Sequence, residues 1–290
     1  MNKSFTLIEI LVVIVIIGIL SAFIIVSMAG VSQKATIAKG QAFSSSLKNS
    51  LMMNLVSEWK LDGNANDSWG TNNGTLVGAT HLPVLKTGSE CISGSCYQFD
   101  GTEDCINCGN DSSVNLVSSA TMEAWVKFIS LDGWGAILAK GCNGTDGYRF
   151  YISQSSHKIN LESRDSLGNL NSISSLNAII DTGRWYFLAG TLNSGGNGYV
   201  MVNGEKGAVT GTPYNIGITA NTLRIGSCGG GQFLNGLIDE VRIYNAAIPA
   251  SQIQENYYAG LNRLFVASEL NKAEYNQRVG ELQMNLAHND

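Results

Sequence analysis

Charged residues are scarce in this chain of 290 residues, where Asp, Glu, Lys and Arg together make up only 14%. The hydrophobic content is 44%, so the chain is not a disordered polyelectrolyte. The net charge of −5 argues against nucleic acid as a partner, because phosphate binding needs a basic surface. The length suits one large domain, or one domain with appendages.

Proline is also rare, with three residues in the chain and none before Pro83. From Leu7 to Val26 only Glu9 and Ser21 interrupt an apolar run, and about 20 such residues span a bilayer. A narrow apolar stripe then continues at helical spacing through Val31, Ala35, Ala38, Ala42, Leu47, Leu51 and Leu55. We therefore predict one helix over residues 5–57, roughly 80 Å long if straight.

Glu9 is a carboxylate inside this apolar run, where it costs roughly 2.5–3.5 kcal/mol on membrane-insertion scales. One interpretation is an ordinary membrane anchor with a stray Glu. Another is a secretory signal cleaved near SMAG, residues 27–30.

Glycine, in contrast, is abundant, and after Glu58 Gly- and Asn-rich turns separate short alternating runs. The runs are TMEAWVKF (121–128), YRFYIS (148–153), GRWYFLAGTL (183–192), GYVMVNG (198–204) and GLIDEVRIYN (236–245). They are typical of an antiparallel β-sandwich of the jelly-roll kind. From Pro249 the apolar period becomes helical again. The predicted class is α+β, with a sandwich over 58–249 and a helical extension over 250–290.

Six cysteines fit an oxidising, exported setting. Cys91 and Cys96 bracket the turn-like ISGS, which favours a hairpin disulfide. Cys142 and Cys228 both lie in Gly-rich loops, where a disulfide across strands is expected. The spacing C-x4-C-x8-C-x2-C, which ends at Cys105 and Cys108, is also compatible with a zinc site.

The N-terminal segment, a short basic leader followed by FTLIE (5–9) and the apolar helix, resembles the type IV pilin and pseudopilin family. The resemblance implies that a prepilin peptidase removes residues 1–4 between Ser4 and Phe5, and that the new N-terminal Phe5 is methylated. It also implies that Glu9 pairs with the amino group of Phe5 on a neighbouring subunit, which makes its burial tolerable and fixes the axial register. Two departures are Ser4, where most members have Gly, and the absence of a proline in FIIVSMAG.

Residues 58 to about 258 resemble the laminin-G-like, concanavalin A-like lectin/glucanase superfamily. The stretches that carry the resemblance are DSWGTNNGT (67–75), YQFDGTEDCINCGN (97–110), TMEAWVKF (121–128), RWYFLAGT (184–191) and FLNGLIDEVRIYN (233–245). The family pattern places Cys105 and Cys108 on one strand, with opposite facing and too far apart for a bridge.

No glucanase-like pattern of acidic residues at alternate positions of one strand is present. Glu162 and Asp165 are three residues apart, hence on opposite faces of a strand. The three histidines, His81, His157 and His288, lie in no recognisable triad context. We therefore expect a protein that is not an enzyme.

The second resemblance implies a structural Ca²⁺ that joins Asp239 to the loop DSWGTNNG through Asp67, Gly70 and Asn72, since such oxygen-rich loops suit this ion. The alternative is that these carboxylates accept hydrogen bonds from loop amides.

Aromatic residues in loops are candidate sugar contacts. Trp69 and Trp134 fall in predicted loops and are the two ligand-binding candidates, while Tyr148 and Tyr214 lie beside turns. Trp125 and Trp185 are assigned to packing on the sheets.

Together these features predict a structural subunit of a type IV pilus-like extracellular filament. Its helix builds the filament and its sandwich is displayed for contact with cell-surface glycans. Expected partners are further copies of the chain, a prepilin peptidase and the assembly machinery, with the cytoplasmic membrane holding the precursor. The alternatives are a minor tip pilin, a membrane-anchored glycan-binding adhesin, and a pseudopilin of a secretion system.

Overall fold

The computed structural model describes residues 52–142, 147–179, 181–194, 196, 198–207, 215–229 and 231–287, without the side chains of 285–287. The chain divides into two compact units, Met1–Met53 and Asn54–Asp290. The predictions that concern Ser4, Phe5, Glu9, Tyr214 and His288 lie outside the described residues. In the described part of the chain, no helix is both long and apolar enough to cross a bilayer.

The second unit is built mainly from strands. Within the described residues these are β1 (Leu55–Trp59), β2 (Thr75–Val77), β3 (Val84–Thr87), β4 (Ser95–Asp100), β5 (Cys105–Asn107), β6 (Ser119–Phe128), β7 (Gly135–Lys140), β8 (Gly147–Ile152), β9 (Lys158–Arg164), β10 (Leu170–Ala178), β11 (Trp185–Asn193), β12 (Tyr199–Val202), β13 (Glu205–Lys206), β14 (Arg224–Ile225) and β15 (Asn235–Tyr244). Two helices follow, α1 (Ala250–Val266) and α2 (Lys272–Ala287), and short 3₁₀ turns occur at Gly88–Glu90 and Ser112–Val114.

The strands form two antiparallel sheets. Sheet A has the order β13-β12-β11-β6-β15-β4-β3, and β1 pairs with the same edge of β15 as β4. Sheet B has the order β10-β9-β8-β7-β14-β5-β2. The predicted antiparallel sandwich and helical tail are therefore confirmed.

The predicted end of the N-terminal helix at residue 57 is wrong, because β1 begins at Leu55. Leu55 pairs with Tyr244 and Trp59 with Val241, so this segment completes sheet A. Leu55 continues the helical apolar stripe of the preceding residues, but LVSEW also alternates, with Ser57 and Trp59 buried. Pairing with β15 decides between the two periods, and tertiary contacts override local pattern in such cases.

The alternating side chains of β6 show how one strand contributes to both faces of its sheet. Met122 and Val126 belong to the core between the sheets, where Phe150 and Leu161 of sheet B meet them. The intervening Trp125 points to the opposite face of sheet A. Because successive side chains of a strand face opposite ways, one sequence supplies both surfaces.

The two helices cover the outer face of sheet A. Tyr257 of α1 lies 5.7 Å from Trp125 and 5.9 Å from Phe187 between ring centroids. Gly260 allows this approach, since a Cβ there would lie 2.3 Å from the Trp125 ring. From α2, Arg278 donates to the backbone carbonyl of the first residue of β11 (3.1 Å).

Candidate glycan-binding site

The outer face of sheet B carries polar and aromatic side chains from β8. In this strand Tyr148, Phe150 and Ile152 face the core between the sheets. Arg149 and Tyr151 consequently face outward. Tyr148, a candidate from the sequence, donates its hydroxyl to the carbonyl of Val114 and is 2% exposed, so it is a core residue.

Glu162 of β9 organises this face. One carboxylate oxygen accepts from Arg149 Nε (2.8 Å) and Nη2 (2.6 Å). The other accepts from the Tyr151 hydroxyl and from Ser172 Oγ (3.2 Å). Burial raises the pKa of Tyr151, and its hydrogen bond to Glu162 adds to this, so the phenol stays protonated and donates. The result is a group of charge-paired and hydrogen-bonded side chains with fixed orientations.

Trp134 lies beside these side chains, in the loop between β6 and β7. It is 37% exposed, and its ring lies 5.6 Å from that of Tyr151. The guanidinium of Arg149, which is on the same face of sheet B, lies 4.6 Å from the centre of the Tyr151 ring. An exposed indole can stack on the apolar face of a sugar, and the partly exposed Arg149 beside it can donate to sugar hydroxyls. We call Trp134, Tyr151, Arg149 and Glu162 the sheet-B platform.

A disulfide supports the platform from one side. Cys142 and Cys228 are bonded, and Cys228 packs with Tyr151, Ala136 and Ala139 in a small apolar cluster. Cys91 and Cys96 form the second disulfide, so both pairings match those expected from the sequence.

The four-cysteine zinc site considered for the sequence is wrong, because two of its cysteines, Cys91 and Cys96, are bonded to each other. Cys105 and Cys108 are free and buried. Cys108 faces the core between the sheets, and burial raises its pKa.

Trp69, the second aromatic candidate, lies in a loop organised by Asp67 and is 45% exposed. Asp67 Oδ1 accepts from the backbone N–H groups of Glu58 (3.0 Å), Trp69 (3.0 Å) and Gly70 (2.8 Å). Its Oδ2 accepts from the N–H of Asn72 (3.0 Å). Burial alone would raise the pKa of Asp67, but the hydrogen bonds outweigh it and lower the pKa.

Asp239 belongs to a different network. Its Oδ2 accepts from the N–H groups of Ile92 (2.9 Å) and Ser93 (3.2 Å), within the loop closed by the first disulfide. Burial, and then the neighbouring Glu240, raise the pKa of Asp239. Among the described residues, no hydrogen bond joins Asp239 to the loop of Asp67.

Asp165, Glu123 and Glu240 are each engaged by groups of their own surroundings. Asp165 lies in the turn after β9, where it accepts from the N–H groups of Leu167 and Asn169. Glu123 is buried and bonded to Asn256 of α1, and Glu240 pairs with Arg242 and Arg263. Among the described residues, one group of three has metal-ligand spacing: His81, Asp100 and Glu103, with ligand atoms within 4.8 Å of one another.

Sequence reasoning identified Trp134 but missed Tyr151 and Arg149. The alternation in YRFYIS contained the signal, since Tyr148 and Tyr151 have opposite parity in the strand. It could not tell which parity faces out, because that depends on the register of β8 between β7 and β9.

Solved structures resemble this fold. The binding domain of Paraclostridial Mosquitocidal Protein 1 aligns with a TM-score of 0.59 and 16% identity, over 73% of this chain and 53% of that one. The botulinum neurotoxin serotype G binding domain gives 0.55 and 16%, over 72% and 51%. This chain thus spans about half the length of these toxin domains, and the likeness shows the fold alone.

Domain 4 of AbnA, an extracellular arabinanase from Geobacillus stearothermophilus, solved in complex with arabinotriose, aligns with a TM-score of 0.52 and 23% identity. This match covers 70% of the chain and 97% of that domain. No curated protein sequence matches the chain.

Two family models match the sequence. Residues 1–25 match the prokaryotic N-terminal methylation motif, which indicates a secreted or pilus-surface protein. Residues 100–254, more than half of the chain, match the second model, and the sandwich described above has its architecture. The chain belongs to the concanavalin A-like lectin/glucanases superfamily.

Proposed function

We propose that this chain is a structural subunit of a type IV pilus-like extracellular filament that displays a glycan-binding sandwich. The observation that carries the proposal is the union of two parts in one chain. A prokaryotic N-terminal methylation motif occupies residues 1–25, and a lectin-type domain follows it. The first part supplies export and assembly, and the second supplies a surface for contact.

The sheet-B platform supports a saccharide as the ligand. α1 packs on the outer face of sheet A, whereas Trp134, beside sheet B, is 37% exposed and accessible to a polymer. The arabinotriose complex of the structurally similar AbnA domain supports the same ligand class. A binding role, rather than hydrolysis, follows from the platform, because its one carboxylate, Glu162, already accepts four hydrogen bonds.

In the proposed assembly, the apolar helix remains in the cytoplasmic membrane until residues 1–4 are removed. The new amino group of Phe5 then pairs with Glu9 of a neighbouring copy. The contact is heterologous and does not close, so it propagates a filament. A slipped subunit would leave both charges unpaired in an apolar core, which is costly and therefore fixes the register.

Electron microscopy of surface filaments, with mass spectrometry of the subunit N-terminus, tests the proposal. We expect filaments labelled along their length by an antibody to the sandwich, and a subunit that begins at N-methylated Phe5. Glu9→Ala should leave membrane insertion intact and abolish filaments. Ser21→Ala, which alters the other polar residue of the apolar run, is the matched control and should assemble normally.

Filaments that lack the chain, or a chain that still starts at Met1, would contradict the subunit role. Label confined to filament ends would favour the tip adhesin instead. Normal filaments in Glu9→Ala would refute the pairing with Phe5.

A further inference from the structure

The laminin-G-like resemblance implies a structural Ca²⁺ held by Asp67, Gly70, Asn72 and Asp239, and the geometry of these residues tests that expectation. Asp67 Oδ1 accepts from three backbone N–H groups at 2.8–3.0 Å. A carboxylate oxygen has about two lone-pair sites, so three donors saturate it. Oδ2 accepts from the N–H of Asn72 as well.

Asp239 is equally occupied. It is 0% exposed, and its Oδ2 accepts from two N–H groups of the loop between Cys91 and Cys96. Its Oδ1 accepts from the N–H of Glu240 (2.8 Å). The hydrogens of these donors carry partial positive charge and point at the carboxylate. A cation placed there would be repelled by these hydrogens.

The two carboxylates are also anchored at different positions along the strands of sheet A. Asp67 is anchored to Glu58, which pairs with Arg242 of β15. Asp239 lies earlier in β15, beyond a register shift. It pairs with Trp125 of β6, two positions from the residue opposite Arg242, which is a separation of about 7 Å at 3.3 Å per residue. Calcium–oxygen distances are about 2.3–2.6 Å. One ion would therefore contact both carboxylates only if both left their amide partners.

Asn72 offers a buried side-chain oxygen, Oδ1, that has no hydrogen-bond partner among the described residues, and Gly70 can offer its backbone carbonyl oxygen. The Nδ2 of Asn72 donates to Ser57 Oγ (2.8 Å) and Ser113 Oγ (3.0 Å), which fixes the orientation of the amide. These neutral oxygens fall far short of the roughly six to eight oxygen ligands that Ca²⁺ takes. The expected residues therefore do not fit the ion.

We propose that backbone amides take the place of the cation, so that Asp67 closes the loop over residues 67–73 and Asp239 closes the disulfide loop 91–96 without a metal ion. In this arrangement a carboxylate does for each loop what calcium would do, since it gathers several backbone groups at one point. The difference is that the carboxylates gather N–H donors, whereas a cation gathers oxygens. The sandwich therefore keeps its stability in calcium-free surroundings.

Thermal unfolding of the purified full-length chain tests this, after dialysis against EDTA, with metal analysis, and again with added Ca²⁺. We expect no calcium bound by Asp67 or Asp239, so that any effect of Ca²⁺ on the melting temperature is the same in the parent and in Asp67→Asn and Asp239→Asn. Asp67→Asn should lower the melting temperature by about 4 °C or more, because an amide NH₂ group replaces an acceptor oxygen. Asp165→Asn is the matched control: its carboxylate also accepts loop amides, but it is exposed and should cost little.

A melting temperature that rises with Ca²⁺, with the rise lost in Asp67→Asn or Asp239→Asn, would overturn the proposal. A rise that persists in both variants but is lost in Glu103→Gln would uphold it, because the ion then binds at the His81 group instead.

Discussion

At the scale of single residues, the platform depends on the contrast between one exposed ring and its buried supports. Tyr151 is 3% exposed and Glu162 8%, although both face outward from sheet B. Tyr151 packs against Cys228 of the Cys142–Cys228 disulfide, and Glu162 is held by its hydrogen bonds to Arg149 and Tyr151. Their orientation is thus fixed before any ligand arrives, which reduces the entropy lost on binding. Trp134 is the part that remains available for contact.

Trp134→Ala should weaken glycan binding about tenfold or more, because the stacking surface is removed while the fold is kept. Isothermal titration with an arabinan oligosaccharide, or an array of neutral glycans, measures this. Trp69→Ala is the matched control, since Trp69 is also an exposed loop tryptophan, at 45%. Loss of binding in Trp69→Ala with Trp134→Ala unaffected would move the site to the loop of Asp67.

At the scale of elements, the docking of α1 decides which sheet face is covered. Tyr257 stacks on Phe187 and packs at a tilt against Trp125, and Gln254 donates to the carbonyl of Gly204 (2.9 Å). The helix can approach so closely because residue 260 is glycine. Helical residues otherwise favour Ala over Gly by about 1 kcal/mol. This glycine therefore serves packing against its local preference.

Gly260→Ala should destabilise the chain by about 1–3 kcal/mol, because its Cβ would lie 2.3 Å from the Trp125 ring. Gly280→Ala in α2 is the matched control. No atom lies within 4 Å of a Cβ at this position, so helix propensity should make this variant equal to or slightly more stable than the parent. Urea unfolding, followed by tryptophan fluorescence, measures both. Equal stabilities of the two variants would contradict the close docking of α1.

At the scale of the whole molecule, buried carboxyls set how stability depends on pH. Burial raises the pKa of Glu123 to about 7, although Arg242 and Asn256 counteract it, and burial likewise raises the pKa of Asp104 to about 7. For such groups the folded state holds the proton more tightly than the unfolded state. Their stabilising contribution is complete below about pH 4.5 and is lost as the pH rises through 7.

Carboxyls with a lowered pKa act in the opposite sense. Burial alone would raise the pKa of Asp100, but hydrogen bonds from Thr102 and Glu103 outweigh it and lower the pKa to about 2. Hydrogen bonds lower the pKa of Asp67 as well. The contribution of these groups is present above about pH 4 and is lost toward pH 2. Stability should therefore peak in mildly acidic solution, near pH 4–5.

Glu123→Gln should make the full-length chain about 1–3 kcal/mol more stable at pH 8 and flatten the loss of stability between pH 4.5 and 7. The reason is that Gln removes the buried charge while keeping an acceptor for Asn256. Melting temperatures across pH 4–8 measure it. Glu281→Gln, an exposed carboxylate on α2, is the control and should leave the profile unchanged. A profile of Glu123→Gln that parallels the parent would show that Glu123 is not the titrating group.

The sequence by itself determined the features that depend on local chemistry. Alternation predicted β6, β8, β11, β12 and β15, the turn ISGS predicted the first disulfide, and the return of a helical period after Pro249 predicted the tail. These hold because backbone period and turn geometry act over a few residues. The Ser-rich β10 gave no comparable signal, since few of its side chains enter the core.

Only the tertiary structure decided what depends on partners distant in sequence. Leu55 became a strand residue through pairing with Tyr244, nearly two hundred positions away. Asp239 found the amides of Ile92 and Ser93 rather than the loop of Asp67. The docking of α1 buried Trp125 against Tyr257 on sheet A, whereas Trp134 remained exposed. In each case several groups compete for one surface, and the packing of the whole sandwich selects among them.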